Sequence, residues 1–187
     1  GEDQSGQMAE VGFSLYTELL ERAVASIKQG KLPDVDDADR HGADVDLHVP
    51  ALIPDDYLPD PHARLTLYKR ISAARNADAL RELQVEMIDR FGLLPDAAKH
   101  LFATAELKLD ATRLGIRKLD LGDKGGRIQF VEKPNVDPMA VIRLIQGQPK
   151  HYRMDGPDKL RISLDMADAA TRFNAARGLL AALQPGG

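Results

Sequence analysis

Five histidines are the first candidates for chemistry: His41, His48, His62, His100 and His151. A metal site needs ligands at a repeatable spacing, such as two histidines one helical turn apart. None of the five forms an H-x-x-x-H pair or stands beside an acidic residue at ligand spacing, so no metal is expected. His48 alternates with apolar residues and reads as a solvated side chain on the polar side of a strand. Lys124-Gly125-Gly126 resembles part of a phosphate loop. A true P-loop, however, requires G-x-x-x-x-G-K followed by Ser or Thr and a helix, and the sequence has none. Two glycines between alternating runs answer to a turn instead. The acidic run Asp34-Val35-Asp36-Asp37 lacks the apolar surroundings that would raise a carboxyl pKa, so it reads as a solvated linker and not as an acid–base pair. There is no G-x-S-x-G and no cysteine, which removes the common nucleophiles.

One helix carries a more informative arrangement. Over Asp78 to Phe91, the residues Leu80, Leu83, Met87 and Phe91 recur on one side, with Ile88 beside them. Glu82, Glu86 and Asp89 fall on the other side, and Arg90 lies on the flank one turn after Glu86. As periodicity alone, this is an ordinary solvated face with an i,i+4 ion pair worth ~0.3–0.5 kcal/mol. A docking patch has the same pattern.

The elements around it follow from the same signals. Residues 1–9 read as a joint, and 10–33 as a connecting helix with an apolar stripe through Tyr16, Leu19, Leu20, Ala23, Val24 and Ile27. Gly30 and Pro33 stop it. Residues 34–44 are Asp-rich and without apolar period, hence a linker. Val45, Leu47 and Val49 alternate with Asp46 and His48, as in a half-buried strand. Asp60-Pro61 opens a helix whose buried face runs through Leu65, Tyr68, Ile71 and Ala74. The helix of Asp78 to Phe91 closes at Gly92. A third runs from Pro95 to about Leu114 and ends at Gly115. Two strands, Ile116 to Leu121 and Arg127 to Val131, flank Asp123-Lys124-Gly125-Gly126. A helix from about Pro138 to Ile145, short strands around Tyr152 and Ile162, and a helix from about Met166 to Leu183 complete the chain. The expected class is α+β, a helical cluster on a small, largely antiparallel sheet with a long N-terminal helix, and residues 45–187 as the α+β domain.

Composition narrows the partners. The 187 residues are 43% hydrophobic and 29% charged, with net charge −4. That supports a real core and argues against a chain that grips nucleic acid along its whole surface. No apolar run reaches the ~18 residues needed to cross a bilayer. The start at Gly1-Glu2-Asp3-Gln4, with neither Met nor signal-peptide core, reads as a piece of something longer.

Several segments carry a family resemblance. Gly1-Glu2-Asp3-Gln4-Ser5-Gly6-Gln7 followed by Val11-Gly12-Phe13-Ser14-Leu15-Tyr16 resembles the join between translocase module and C-terminal domain in bacterial transcription-repair coupling factors. Leu58-Pro59-Asp60, Tyr68-Lys69-Arg70-Ile71, the run from Ile88 to Asp96, Leu114 to Leu119 and His151 to Pro157 agree in the same order.

The resemblance implies an autoinhibitory C-terminal domain of a cytoplasmic bacterial protein. The parent would be an ATP-driven motor on double-stranded DNA that displaces stalled RNA polymerase and recruits UvrA for nucleotide-excision repair. The domain would pack on the parent's own UvrA-binding module and mask it. It also implies that Glu86, Asp89 and Arg90 lie at that contact. Glu2, Gln4, Ser5 and Gly6 would be the tail of the translocation motif shared with the helicase RecG, with Asp3 where a Glu is common. The arginines of that motif and the ATPase motifs are missing, so ATP and Mg belong to the parent motor. No catalysis, cofactor or membrane contact is expected of this chain.

Two readings compete. One is a small enzyme using surface carboxylates, which needs a pocket with two convergent acids. The other is an accessory domain that contacts nucleic acid or polymerase directly without masking, for which Arg64, Lys69, Arg70 and Arg75 are the candidate surface.

Overall fold

The computed structural model describes residues 42–186. The translocation-motif residues Glu2, Gln4, Ser5 and Gly6, the connecting helix of 10–33 and nearly all of the 34–44 linker lie outside the described residues. The chain divides into two compact units, one containing Val49–Glu106 and the other combining Gly42–His48 with Leu107–Gly187.

The first unit is helical. Helix α1 (Pro61–Ala73) starts where Asp60 accepts the amide of His62, with Pro61 in the first turn. It buries Leu67, Tyr68 and Ile71. Leu65, expected on that face, is half-buried, because the helix turns Leu67 inward beside Tyr68. The Tyr68 hydroxyl accepts the amide of Ile53 at 2.7 Å, which ties the preceding extended segment to α1. Helix α2 (Ala77–Phe91) is capped by Asn76, whose side chain accepts from Ala79 at 2.8 Å. Gly92 closes it at φ 98°, a conformation open to glycine and costly for a side chain. Helix α3 (Asp96–Arg113) contributes its first part to this unit, where Ala98, Leu101 and Phe102 are buried.

The second unit is a five-stranded sheet with helices, in the order β1-β2-β3-β5-β4. Strand β1 (Asp44–Asp46) runs parallel to β2 (Ile116–Gly122), and the other neighbours are antiparallel. Thus the strand begins at Asp44, inside the segment read as linker, and Ala43 is already buried. The β2–β3 hairpin turns on Asp123-Lys124, and β3 (Gly125–Phe130) starts with the two glycines. They serve the ladder and not only the turn: a Cβ on Gly126 would fall 1.8 Å from the Asp120 carbonyl oxygen. Helix α4 (Pro138–Gly147), strands β4 (Tyr152–Met154) and β5 (Lys159–Ser163), and helix α5 (Ala169–Leu183) follow.

Alternation along the strands makes one sheet face apolar. Leu119, Leu121, Ile128, Phe130, Leu160 and Ile162 are buried there, and α5 buries Phe173, Ala176, Leu179, Leu180 and Leu183. Each such side chain contributes about 1.5–3 kcal/mol when fully withdrawn from water. The buried Arg172 of α5 donates to the carbonyls of Leu47 at 2.7 Å and Met166 at 2.9 and 3.1 Å. Backbone oxygens therefore hold the incoming β1 end and the α5 start to one guanidinium.

Candidate docking site

Helix α2 sets the geometry. Leu80, Leu83 and Met87 are buried, so the opposite side of the helix is fixed outward. On that outward side Val85 is 54% and Ile88 38% exposed, and Leu93, just past the closing glycine, is 85% exposed. The expected site residues share this region. Asp89 and Arg90 are exposed and Glu86 is half-buried; none of the three points into the core.

They are not equivalent. Arg70 of α1 grips Glu86 through both guanidinium nitrogens, Nη1 to Oε2 and Nη2 to Oε1, the latter at 3.2 Å. Arg90 stands 3.6 Å from the same Oε2. Hydrogen bonding from Arg70 holds the Glu86 carboxyl below its ordinary range; partial desolvation opposes it, and the charges of Arg70 and Arg90 add to the lowering. The Arg70 guanidinium is correspondingly raised, first by its bond to Glu86. Arg90 also lies 4.8 Å from the centre of the Phe91 ring, a cation–π distance. Asp89 has no ion pair or side-chain hydrogen bond among the described residues.

Tyr57 fixes the end of the helix. Its hydroxyl lies 2.8 Å from the Gly92 carbonyl oxygen and 3.2 Å from that of Met87, donating into the helix terminus, while its ring meets Phe91 edge-on at 6.1 Å. Burial raises the Tyr57 hydroxyl pKa, so the donor stays protonated. Arg70 and Tyr57 are the residues that sequence reasoning missed here. They lie 16 and 30 or more positions from their partners, beyond the reach of any helical period.

The basic group proposed for nucleic acid is dispersed. Arg64 donates to the Leu58 and Pro59 carbonyls at 2.7 and 3.1 Å, and Arg70 is committed to Glu86. Lys69 and Arg75 are left exposed. The carboxylate-enzyme reading fares no better. A surface cavity of about 470 Å³ is lined by Asp120, Asp123 and Asp155, but Asp123 and Asp155 are exposed and Asp120 accepts from His48 at 2.7 Å. His48 itself lies past the end of β1 at φ 54°, held by Asp46 and Asp120, so it is bonded and not merely solvated. Among the described residues, no group of His, Cys, Asp or Glu is arranged to hold a metal ion, and no helix is long and apolar enough to cross a membrane.

A family model described as the TRCF domain matches residues 47–141, about half of the chain. The chain belongs to the TRCF-domain family. The chain is 47% identical over 184 residues to the transcription-repair-coupling factor of Escherichia coli (strain K12), covering 98% of the chain and 16% of that relative. The factor of Haemophilus influenzae is likewise 47% identical, over 96% of the chain and 16% of the relative. That of Myxococcus xanthus is 40% identical over 86% of the chain and 13% of its own length. The chain therefore spans about one sixth of the length of these first two relatives. A solved structure described as the C-terminal domain of transcription-repair coupling factor superposes with a TM-score of 0.62 at 22% identity, over 75% of this chain and 89% of that one. That likeness carries the fold. Together the matches bear out the resemblance read from the sequence and the α+β class.

Proposed function

We propose that this TRCF domain is an intramolecular mask. It docks the outward side of α2 on the UvrA-binding module of its parent and keeps that module hidden until the motor engages stalled RNA polymerase and DNA. The observation that carries the reading is the make-up of the α2 surface. An unpaired carboxylate, Asp89, shares the exposed surface of α2 with Val85 and Ile88, beside an arginine that Glu86 and Phe91 already orient. A polar pair beside exposed apolar side chains is how a protein interface combines orientation with affinity.

In this reading Asp89 receives a cation of the partner module and Arg90 an acceptor. Glu86 acts differently: bridging Arg70 and Arg90, it holds the flank in one arrangement before docking, which lowers the entropy lost on contact. Tethering supplies the rest. A joined domain acts at an effective concentration on the order of millimolar. Docking with an intrinsic Kd near that value would mask about half the molecules, and each further tenfold needs ~1.4 kcal/mol. Moderate affinity is what a mask requires, since polymerase and DNA must be able to open it. The domain works in the bacterial cytoplasm with no cofactor of its own. ATP and Mg serve the motor, to which Glu2, Gln4, Ser5 and Gly6 form the join.

The test uses the full-length parent carrying Asp89→Ala, Arg90→Ala or Glu86→Ala. Each is expected to increase UvrA retained in a pull-down; the domain stays folded in all three, with thermal unfolding unchanged in Asp89→Ala and lowered in Glu86→Ala, which breaks the pair with Arg70. Wild-type UvrA retention in all three, with folding intact, would remove the docking assignment.

A further inference from the structure

The sheet of the second unit has a second face, and the strand register determines what stands on it. Arg127 of β3 pairs directly with Arg161 of β5, which pairs directly with Arg153 of β4. Directly opposed residues project to the same side. Their neighbours Ile128, Leu160, Ile162 and Tyr152 are buried on the other face, so the three arginines share the open one, and all three are exposed. Lys118 and Lys159 extend the basic character one row along. Among the described residues none of these five cations has an ion pair or side-chain hydrogen bond.

That arrangement is costly to the fold. Strands lie 4.7–4.9 Å apart, and like charges directly opposed destabilise a sheet. Asp120 opposes Arg127 at one end of the row, with His48 at 2.7 Å from its Oδ1, and no carboxylate stands between Arg127, Arg161 and Arg153. Three guanidiniums in line, with a directly opposed carboxylate at one end of the row only, fit a ligand that carries an unbroken series of negative charges.

We propose that Arg127, Arg161 and Arg153, aligned across β3, β5 and β4, bind the phosphate backbone of a nucleic acid. Continuity of charge favours phosphate over a protein partner. Each strand of duplex DNA carries one charge per ~3.4 Å of axis in any sequence. A protein would need an unbroken run of same-face carboxylates, at ~5–6 Å on a helix or ~6.6 Å on a strand. Guanidinium forks also match phosphate oxygens in pairs. The row offers no aromatic ring for stacking a base, so binding follows the backbone and not the sequence. Exposed Asp123 and Asp155, which line the cavity beside Arg127 and Arg161, confine the site to the row. The net charge of −4 over the full chain makes such binding local and weak. The inference is independent of the masking role, since it concerns other residues and needs no partner module.

The experiment is fluorescence anisotropy of a short labelled DNA duplex with the 187-residue chain. Three phosphate contacts give a salt slope near −2.7, so affinity is expected to fall roughly fortyfold between 50 and 200 mM salt. The triple variant Arg127→Gln, Arg153→Gln, Arg161→Gln is expected to lose at least tenfold in affinity at low salt, whereas Lys69→Gln with Arg75→Gln binds like wild type. The triple variant should melt no lower than wild type, because repulsion is removed. Should it melt lower, Arg161→Gln alone against Arg161→Lys decides: the lysine is expected to retain binding and the glutamine to weaken it. No duplex binding at 50 mM salt, unchanged affinity in the triple variant, or tighter binding of a polyglutamate peptide than of the duplex would each overturn the proposal.

Discussion

The two charged surfaces of this domain are built on opposite rules. On the flank of α2, charges of both signs interlock: Arg70 and Arg90 converge on Glu86, and Asp89 stands free beside exposed apolar residues. On the open sheet face, Arg127, Arg161 and Arg153 repeat one sign across three strands without a carboxylate between them. A surface with internal pairing can present a fixed pattern to a single protein partner. A row of like charge with no ion pair of its own gains most from an external polyanion. The number of charged residues does not separate the two; what separates them is whether each charge already has a partner in its own fold.

Substitutions beneath the two surfaces should be the most damaging, and should damage both alike. Met87 under α2 and Leu160 under the sheet are each 0% exposed. Met87→Ala and Leu160→Ala are expected to cost ~2–5 kcal/mol in denaturant unfolding. A loss under ~1 kcal/mol at either site would show that the surface above it lacks a rigid base.

Charge reversal at the free carboxylate comes next and should separate the surfaces. Asp89→Lys is expected to weaken docking on the partner module by ~2–5 kcal/mol, the range for disrupting a buried interfacial pair. The stability of the chain itself should stay within ~0.5 kcal/mol, as for most surface changes.

The sharpest contrast is one of sign. Neutralising the central arginine of the row, Arg161→Gln, is expected to raise stability by ~0.2–1 kcal/mol by relieving opposed like charges. Arg70→Gln should lower it, because Glu86 loses its bidentate partner. Thermal melts of both variants at low salt measure this, and shifts of the same sign would erase the distinction between the surfaces.

The smallest effect is in acid. The Glu86 carboxyl is depressed from an ordinary value of 4.5, chiefly by its bond to Arg70. The unfolded chain therefore binds the proton first, and the contribution of this pair to stability is complete above that value and lost as pH falls through the lowered one. Asp168, depressed by its bonds to Thr171 at the start of α5, acts in the same direction. Glu86→Gln should flatten part of the acid limb of a stability–pH curve. An unaltered limb would mean that the pair contributes nothing in solution.

What the sequence revealed, and what it hid, follows the range of the forces involved. Helix ends were legible because caps are local: Asp60 and Pro61 start α1, and Gly92 closes α2. The β2–β3 hairpin was legible for the same reason, although the two glycines belong to the ladder. The parallel pairing of β1 with β2 was not, since Val45 and Leu119 meet across the whole helical segment. Glu86, Asp89 and Arg90 were placed on an exposed flank by period alone, but the grip of Arg70 depends on how two helices pack. The arginine row was hidden more deeply. Arg127, Arg153 and Arg161 look unremarkable in sequence, and a one-residue slip in register would scatter them to different faces.

The central claim is that the outward side of α2, through Asp89 and Arg90, fastens on the UvrA-binding module. Its most direct test mixes this chain with that module, expressed separately, and measures binding in competition with UvrA by calorimetry. The wild-type chain should bind and be displaced by UvrA, and Asp89→Lys should abolish binding without loss of fold. Undiminished binding by a folded Asp89→Lys, Arg90→Glu double variant, or simultaneous binding of chain and UvrA to the module, would contradict it.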